Sequence, residues 1–240
     1  MQEKIKNIVS KYIKILPGQI NSQTVIDRSA VASSIILHRM YAQLLNEGFV
    51  INDYTTIKTF GELSTSVNDK ETENTFIEQS TVSNYSATES TNEPAVGIDA
   101  ENISSMPVVN DFREDAFYKM NFAPAEMAHC ILQPNPYASF AGLFAAKEAI
   151  IKADNLYRNK PFNTIIIDHL PEGKPVHPGF QISISHTNET AVAVAVKNIS
   201  FPASSFATAA NTGSNSLLTT IVAIIALSLL TLIFILFKRL

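Results

Sequence analysis

The sequence predicts an α+β protein, because helical and strand patterns follow each other along residues 95–198. Residues 180–185 alternate apolar and polar side chains, which is the period of a half-buried strand. Residues 191–196 follow a turn and predict a second strand. Before them, residues 137–151 are almost all apolar or small, as expected for a helix buried on several faces.

The chain divides into five parts on these patterns and on shifts in composition. They are a small N-terminal helical bundle (1–65), a disordered linker (66–94), an α+β domain (95–198), a spacer (199–216) and a transmembrane helix (217–237). No internal repeats are visible. We therefore expect one folded α+β domain with appended segments on both sides.

The composition excludes several classes of protein. The 240 residues carry a net charge of -4, so the basic surface of a nucleic-acid-binding protein is absent. Cys130 is the only cysteine, which excludes an intrachain disulfide and a multi-cysteine metal site. A reducing compartment fits this cysteine usage. Lysines interrupt the apolar residues of 1–16, so a secretory signal is not expected.

The N-terminal part has the spacing of amphipathic helices. Residues 5–16 carry one apolar stripe with a helical repeat, and Pro17 and Gly18 end it. A second apolar segment covers residues 31–45, and a third element covers 57–63. Nothing here alternates like a strand, so we predict a helical bundle.

Residues 66–94 differ in composition from both neighbours. Nearly half are Ser, Thr or Asn, six are acidic, and only Lys70 is basic. Such a stretch buries too little apolar surface to offset the entropy of ordering it. We predict a disordered linker that lets the flanking regions move independently.

Residues 217–237 form an apolar segment without charges. At about 1.5 Å per residue, such a helix would span about 30 Å, the thickness of a bilayer core. A buried core helix is the alternative. It is less favoured because a spacer of small and polar residues separates this segment from the folded part.

Asp99 and Glu101 follow the apolar residues 96–98. Carboxylates at i and i+2 of an extended chain point to the same side. Such oxygen ligands suit Mg²⁺, which often takes one or two carboxylates together with substrate phosphates. The alternative is a solvated strand end.

Lys147 and Glu148 are the only charged residues in the apolar helix at 137–151. A buried charge is costly unless it is paired or bound to a metal. Lys152 lies at i+4 from Glu148 on the same helix face, so a plain intrahelical ion pair is the alternative to a catalytic site.

His186 ends the alternating strand Ile182–Ser185. A histidine at such a position can be a structural cap or a ligand-binding residue. A Ser185–His186 hydrolase is disfavoured, because adjacent strand residues point to opposite faces.

Together, these clusters resemble the 4′-phosphopantetheinyl transferase superfamily, especially its holo-acyl-carrier-protein synthase type. The motifs are G-I-D at 97–99, K-E-A at 147–149 with Lys152, and S-I-S-H at 183–186. F-A-P-A-E at 122–126 and G-K-P at 173–175 are also similar to family motifs. The resemblance covers about 100 residues, with all five motifs in the family's order.

The resemblance implies an α+β transferase domain that moves the phosphopantetheine arm of coenzyme A to a serine of an acyl carrier protein and releases 3′,5′-ADP. Asp99, Glu101 and Glu148 would hold Mg²⁺ on the pyrophosphate. Glu148, or a metal-bound water, would take the serine proton, and Lys152 would support the phosphates. Lys147, Lys174 and His186 would bind coenzyme A.

One position departs from the family pattern. Short synthases often carry an arginine several residues after the aspartate, and here Ser105 stands in that region. Arg113 is nearby and could compensate. Without compensation, binding of coenzyme A or of the carrier would be weaker, and an inactive relative becomes an alternative.

The N-terminal region loosely resembles an acyl carrier protein in its length, its helical pattern and residues 57–63. Ser34 matches the modified serine of that family, although the preceding aspartate is missing. Ser34 is then a candidate attachment site for phosphopantetheine. The alternatives are a helix cap at Ser34 and a carrier-like docking domain.

Two other functions stay open at this point. One is a non-catalytic, membrane-tethered, carrier-like interaction protein, and the other is a carrier protein modified by its own fused transferase. The resemblance also implies that the protein could form a homotrimer with sites between subunits. The carrier could serve fatty-acid, polyketide or peptide synthesis.

Lys238 and Arg239 favour a cytoplasmic tail end by the positive-inside rule, which would place the enzyme on the opposite side. Coenzyme A, Mg²⁺ and carrier proteins are cytoplasmic, however, and no export signal is predicted. We expect a single-pass C-terminal anchor with the catalytic domain facing the cytoplasm.

Overall fold

The computed structural model describes residues 1–51, 53–69 and 95–198. Residues Met1–Asn198 belong to one compact unit. The helices are α1 (Gln2–Ile13), α2 (Ser34–Asn46), α3 (Phe60–Ser66), α4 (Ala116–Asn121), α5 (Pro124–Ile131) and α6 (Pro136–Ala153). The strands are β1 (Phe49–Ile51), β2 (Val67–Asp69), β3 (Val96–Asn102), β4 (Asp168–His169), β5 (Pro175–His177), β6 (Phe180–His186) and β7 (Thr190–Lys197).

Most of the predicted linker, the spacer and the predicted transmembrane helix lie outside the described residues. Within the described part of the chain, no helix is both long and apolar enough to cross a membrane. The prediction of an α+β domain is confirmed, and the strands predicted at 180–185 and 191–196 are present as β6 and β7.

Five strands form one antiparallel sheet in the order β3-β7-β6-β5-β4, and α6 packs across one face of it. Small residues make this packing close. The face of β7 beneath α6 consists of fully buried alanines, Ala191, Ala193 and Ala195. At Gly97 on β3, an added Cβ would lie 1.9 Å from the carbonyl oxygen of Ala149. Glycine is therefore required where α6 crosses β3.

The N-terminal region contains a strand pair in addition to its helices. β1 and β2 are antiparallel, with Val50 opposite Asn68. This corrects two predictions, since the region is not purely helical and residues 67–69 of the expected linker form a strand. Three-residue strands are too short to show an alternating pattern, and their pairing joins segments that are far apart in sequence.

Helix α2 packs against α4 and so joins the N-terminal region to the α+β part. The ring of His38 is hydrogen-bonded through Nδ1 to the side-chain oxygen of Asn121. Arg39 donates a hydrogen bond of 3.0 Å to the carbonyl oxygen of Ser105. Burial lowers the pKa of His38 to about 4, so the imidazole at this junction is neutral. The predicted independent movement of the two regions is therefore wrong, because buried side chains fasten them together.

Candidate active site

Asp99 and Glu101 lie on β3 and are both buried. They pair with Ala193 and Ala191 of β7, so they share the sheet face that α6 covers. The prediction that both carboxylates point to one side is confirmed. Glu148 on α6 lies close enough to raise the pKa of Glu101, which brings the three predicted carboxylates into one electrostatic cluster.

This carboxylate cluster, Asp99, Glu101 and Glu148, holds its protons more strongly than exposed acids do. Burial, with the neighbouring Asp99 charge, raises the pKa of Glu101 to about 7. Burial also raises the pKa of Asp99, although the ammonium of Lys152 opposes the shift. The pKa of Glu148 is raised by burial as well. Three carboxyl groups in a poorly solvated place repel each other when ionised.

Some oxygen atoms of the carboxylate cluster have no hydrogen-bond donor. They are Oδ2 of Asp99 and both carboxylate oxygens of Glu101. Buried polar atoms are usually satisfied, so orphaned acceptors indicate a place where a cation or a donor belongs. Among the described residues, however, no three His, Cys, Asp or Glu side chains are already arranged to hold a metal ion.

Lys152 occupies part of this site. Its ammonium lies 2.7 Å from Oδ1 of Asp99 and donates a hydrogen bond of 3.1 Å to the carbonyl oxygen of Ile98. The Lys152 side chain is half exposed, whereas that of Asp99 is 7% exposed. Lys152 thus pairs across elements with β3, and the intrahelical pair with Glu148 is not its main contact.

The structure contradicts a substrate-binding role for Lys147. Its side chain is fully buried and lies 2.6 Å from Oε2 of Glu126. The same ammonium donates to the carbonyl oxygens of Asn121 and Phe162 at 2.8 and 2.9 Å. An ammonium has three donors, and all three are used inside the protein. Lys147 is therefore a structural residue that ties α6 to α4 and α5.

His186 and Lys174 are both exposed. His186 pairs with Ala191, and Ala191 pairs with Glu101, so the backbones of His186 and Glu101 are about 10 Å apart. Lys174 lies in the turn between β4 and β5, near the opposite edge of the sheet from β3. His186 therefore lies on the same face of the sheet as Asp99 and Glu101, whereas Lys174 lies far from these carboxyl groups.

The N-terminal region adds residues that sequence reasoning mostly missed. The hydroxyl groups of Ser33 and Ser34 lower the pKa values of Glu101 and Glu148 respectively, which places them beside these carboxylates. Arg28 lowers the pKa of all three carboxyl groups. Ser33 lies beside Glu101, but neither carboxylate oxygen of Glu101 accepts a hydrogen bond of good geometry.

Arg28 supplies a positive charge that the sequence motif lacked at Ser105. The candidate substitute, Arg113, is exposed, and its backbone N–H donates to Asp111. The only signal for Arg28 in the sequence was its proximity to the candidate Ser34. Its placement at the site depends on how α2 packs on the α+β part.

Comparison with known proteins defines the class. Residues 95–201 match the family model of the 4′-phosphopantetheinyl transferase superfamily. The holo-[acyl-carrier-protein] synthase of Chlorobaculum tepidum is 37% identical over 111 residues, which is 42% of this chain and 95% of that protein. The synthase of Cytophaga hutchinsonii is 33% identical over 122 residues, covering 43% of this chain and 95% of the relative. The protein therefore belongs to the 4′-phosphopantetheinyl transferase superfamily.

A solved structure of the same kind is the Helicobacter pylori holo-[acyl-carrier-protein] synthase in complex with coenzyme A. It is 27% identical, covers 43% of this chain and 99% of the other, and has a TM-score of 0.36. The predicted class of enzyme, a 4′-phosphopantetheinyl transferase, is confirmed by the curated relatives. The family model begins at residue 95, so the carrier-like N-terminal region stays a prediction. The homotrimer also stays a prediction.

Proposed function

We propose that this protein transfers the 4′-phosphopantetheine arm of coenzyme A to a serine of an acyl carrier protein and releases 3′,5′-ADP. The observation that carries the proposal is the constellation of Asp99, Glu148 and Lys152 inside the matched region. A buried carboxylate with an unpartnered oxygen, a second carboxylate facing it and a half-exposed ammonium are the groups that phosphoryl transfer requires. The curated relatives are named for the same reaction.

The donor set also supports a Mg²⁺ ion. The orphaned oxygens of Asp99 and Glu101, with Glu148 close by, form a buried group of carboxyl oxygens that are not all satisfied by the nearby cations and hydroxyl groups. Mg²⁺ is commonly held by one or two carboxylates together with substrate phosphates, so a preformed cage of three protein ligands is not required. Asp99 and Glu148 would hold the ion, with Glu101 beside them. When bound, it would neutralise charge on the pyrophosphate.

The chain's own residues have distinct parts in this proposal. Lys152 reaches solvent from α6, so its ammonium can leave Asp99 and contact a phosphate oxygen. Glu148 accepts the proton of the acceptor serine as a general base. His186 lies exposed on the same sheet face as the carboxylate cluster and is the nearer candidate for a coenzyme A phosphate.

The test follows an apo acyl carrier protein by intact-mass spectrometry after incubation with the full chain, coenzyme A and Mg²⁺. We expect the carrier to gain the mass of the arm. Asp99→Ala and Glu148→Ala should each lower the rate at least 100-fold, as expected when a group that stabilises the transition state is removed. Glu114→Ala is the matched control, since Glu114 is an exposed carboxylate in a surface ion pair.

Chelation of Mg²⁺ should also stop the transfer. If no carrier is modified by the wild-type chain, the non-catalytic interaction protein becomes the better description. If Asp99→Ala and Glu148→Ala are as active as Glu114→Ala, the assignment of the site is wrong.

We also propose a C-terminal membrane anchor at residues 217–237 with the catalytic domain facing the cytoplasm. The length and apolar composition of that segment support it. The full chain should sediment with membranes and resist carbonate extraction, and a chain ending at residue 216 should not. Equal solubility of both chains would contradict the anchor.

A further inference from the structure

We propose that Ser34 of this chain is itself an acceptor of the phosphopantetheine arm, transferred within the same molecule. This rests on the proposed function, because it names a substrate of the same site. Ser34 is the first residue of α2, one turn before His38, and the His38 ring packs edge-on against Phe144 of α6. Glu148, the base of the proposed reaction, lies one turn after Phe144 on α6. The Ser34 hydroxyl lowers the pKa of Glu148, which agrees with a position beside this carboxyl group.

The hydroxyl of Ser34 is not needed to cap α2. The N-cap is Ser33, whose side chain accepts the hydrogen bond from the backbone N–H of Ile36. Ser34 is nevertheless buried, with only 4% of its surface exposed. The hydroxyl of Ser34 therefore lies inside the protein without a capping role.

The carboxylate cluster beside Ser34 is built for a further ligand. Both carboxylate oxygens of the buried Glu101 and Oδ2 of Asp99 lack donors, although Ser33, Ser34 and the charge of Arg28 face the cluster. Helix α2, which has 13 residues, also begins beside this cluster. A helix N-terminus and an arginine favour the negative charge of a pyrophosphate.

The contact between α2 and the α+β part is held by several other groups. His38 and Arg39 lie one and one-and-a-half turns further along α2 and bond to Asn121 and to the carbonyl oxygen of Ser105. Aromatic edges of Phe144 and Phe162 surround the His38 ring. Ser34 is therefore presented by a fixed element, and a tethered, oriented acceptor reacts with a high effective concentration.

The step is a phosphoryl transfer with one bond made and one broken. The hydroxyl oxygen of Ser34 bonds to the phosphorus that carries the pantetheine arm, and the phosphoanhydride bond of coenzyme A breaks. The hydroxyl proton goes to the Glu148 carboxylate. The electron pair of the broken bond leaves on 3′,5′-ADP, so coenzyme A is the only co-reactant.

The experiment incubates the purified full chain with coenzyme A and Mg²⁺, without any carrier, and maps the modified peptide by mass spectrometry. We expect the arm on Ser34 in the wild type and in Ser22→Ala, which removes an exposed serine outside α2, and no gain in Ser34→Ala. Circular dichroism of both variants checks that α2 still folds. The first-order rate constant should stay the same over a tenfold dilution of the protein.

Mixing distinguishes transfer within one molecule from transfer between molecules. An inactive Glu148→Ala chain, marked by a mass tag, should stay unmodified when it is mixed with active Ser34→Ala chains. Modification of the tagged chain, or a rate that rises with protein concentration, would overturn the intramolecular assignment.

An added apo carrier protein separates this inference from the proposed function. If the carrier gains the arm and Ser34 never does, the inference fails and the proposed function stands. In that case a faster rate for Ser34→Ala would show that α2 only covers the carboxylates. If neither acceptor is modified, the proposed function fails too.

Discussion

Helix α6 carries two lysines that each pair with a carboxylate, and the two pairs have opposite surroundings. Lys147 and Glu126 are both fully buried, and every donor of the ammonium is used. Lys152 is half exposed and pairs with Asp99, whose second oxygen has no donor. The first pair is complete in itself. The second has an unused acceptor and access to solvent, so it can exchange its partner for a ligand.

The comparison shows why the sequence of a charged motif on a helix does not reveal the role of each of its residues. Lys147 and Lys152 are five residues apart, which places them on different sides of α6. One side faces α4 and α5, and the other faces the middle of β3. The neighbouring elements therefore decide which lysine is enclosed and which one stays accessible to solvent.

The largest expected effect is on folding, from Lys147→Met. Removing this lysine leaves the Glu126 carboxylate buried without a cation, which typically costs about 3–5 kcal/mol. Urea unfolding of the solubilised full chain measures the loss. The double variant Lys147→Met/Glu126→Gln should recover part of it, because no uncompensated charge remains. A stability loss below about 1 kcal/mol for Lys147→Met would contradict the structural role.

The matched substitution Lys152→Met should have the reverse pattern. The ammonium is half exposed, and Asp99, whose pKa is raised by burial, can take up a proton when the cation is removed. The loss of stability should therefore be smaller than for Lys147→Met. The transfer rate should fall about 100-fold, because a positive charge that supports the phosphates is lost. If Lys152→Met unfolds the protein as Lys147→Met does, or leaves the rate intact, the contrast between the pairs is wrong.

A smaller effect should appear in the pH dependence of stability. The folded pKa of Glu101 is raised to about 7 from 4.5, mainly by burial. Between these values the unfolded state has released its proton and the folded state retains it, so stability falls as pH rises through this window. We expect a loss of about 3 kcal/mol.

Urea midpoints measured at several pH values between 4.5 and 8 would show this slope. Glu101→Gln should flatten it, because the amide does not titrate. Mg²⁺ should also reduce the loss at high pH, since a cation stabilises the ionised carboxylates. A Glu101→Gln variant with the full wild-type slope would mean that another group is responsible.

Much of the fold could be predicted from local patterns in the sequence. The alternation at 180–185 predicted β6, and the apolar run at 137–151 predicted most of α6. The strand pair β1–β2 was missed because each strand has three residues, and their pairing depends on contacts across the chain. The predicted independence of the N-terminal region failed for a related reason. No periodicity in α2 reveals that His38 will be buried against Asn121.

The sequence by itself identified the candidate residues for the chemistry and determined that two of them share a face. The motifs identified Asp99, Glu148 and Lys152, and the alternation of a strand placed Asp99 and Glu101 on one side. Tertiary structure alone decided that Lys147 is enclosed and that Ser34 lies against Glu148. The reason is physical. Local spacing sets the direction of a side chain within its own element, whereas burial and ionisation depend on what the packing of distant elements brings beside it.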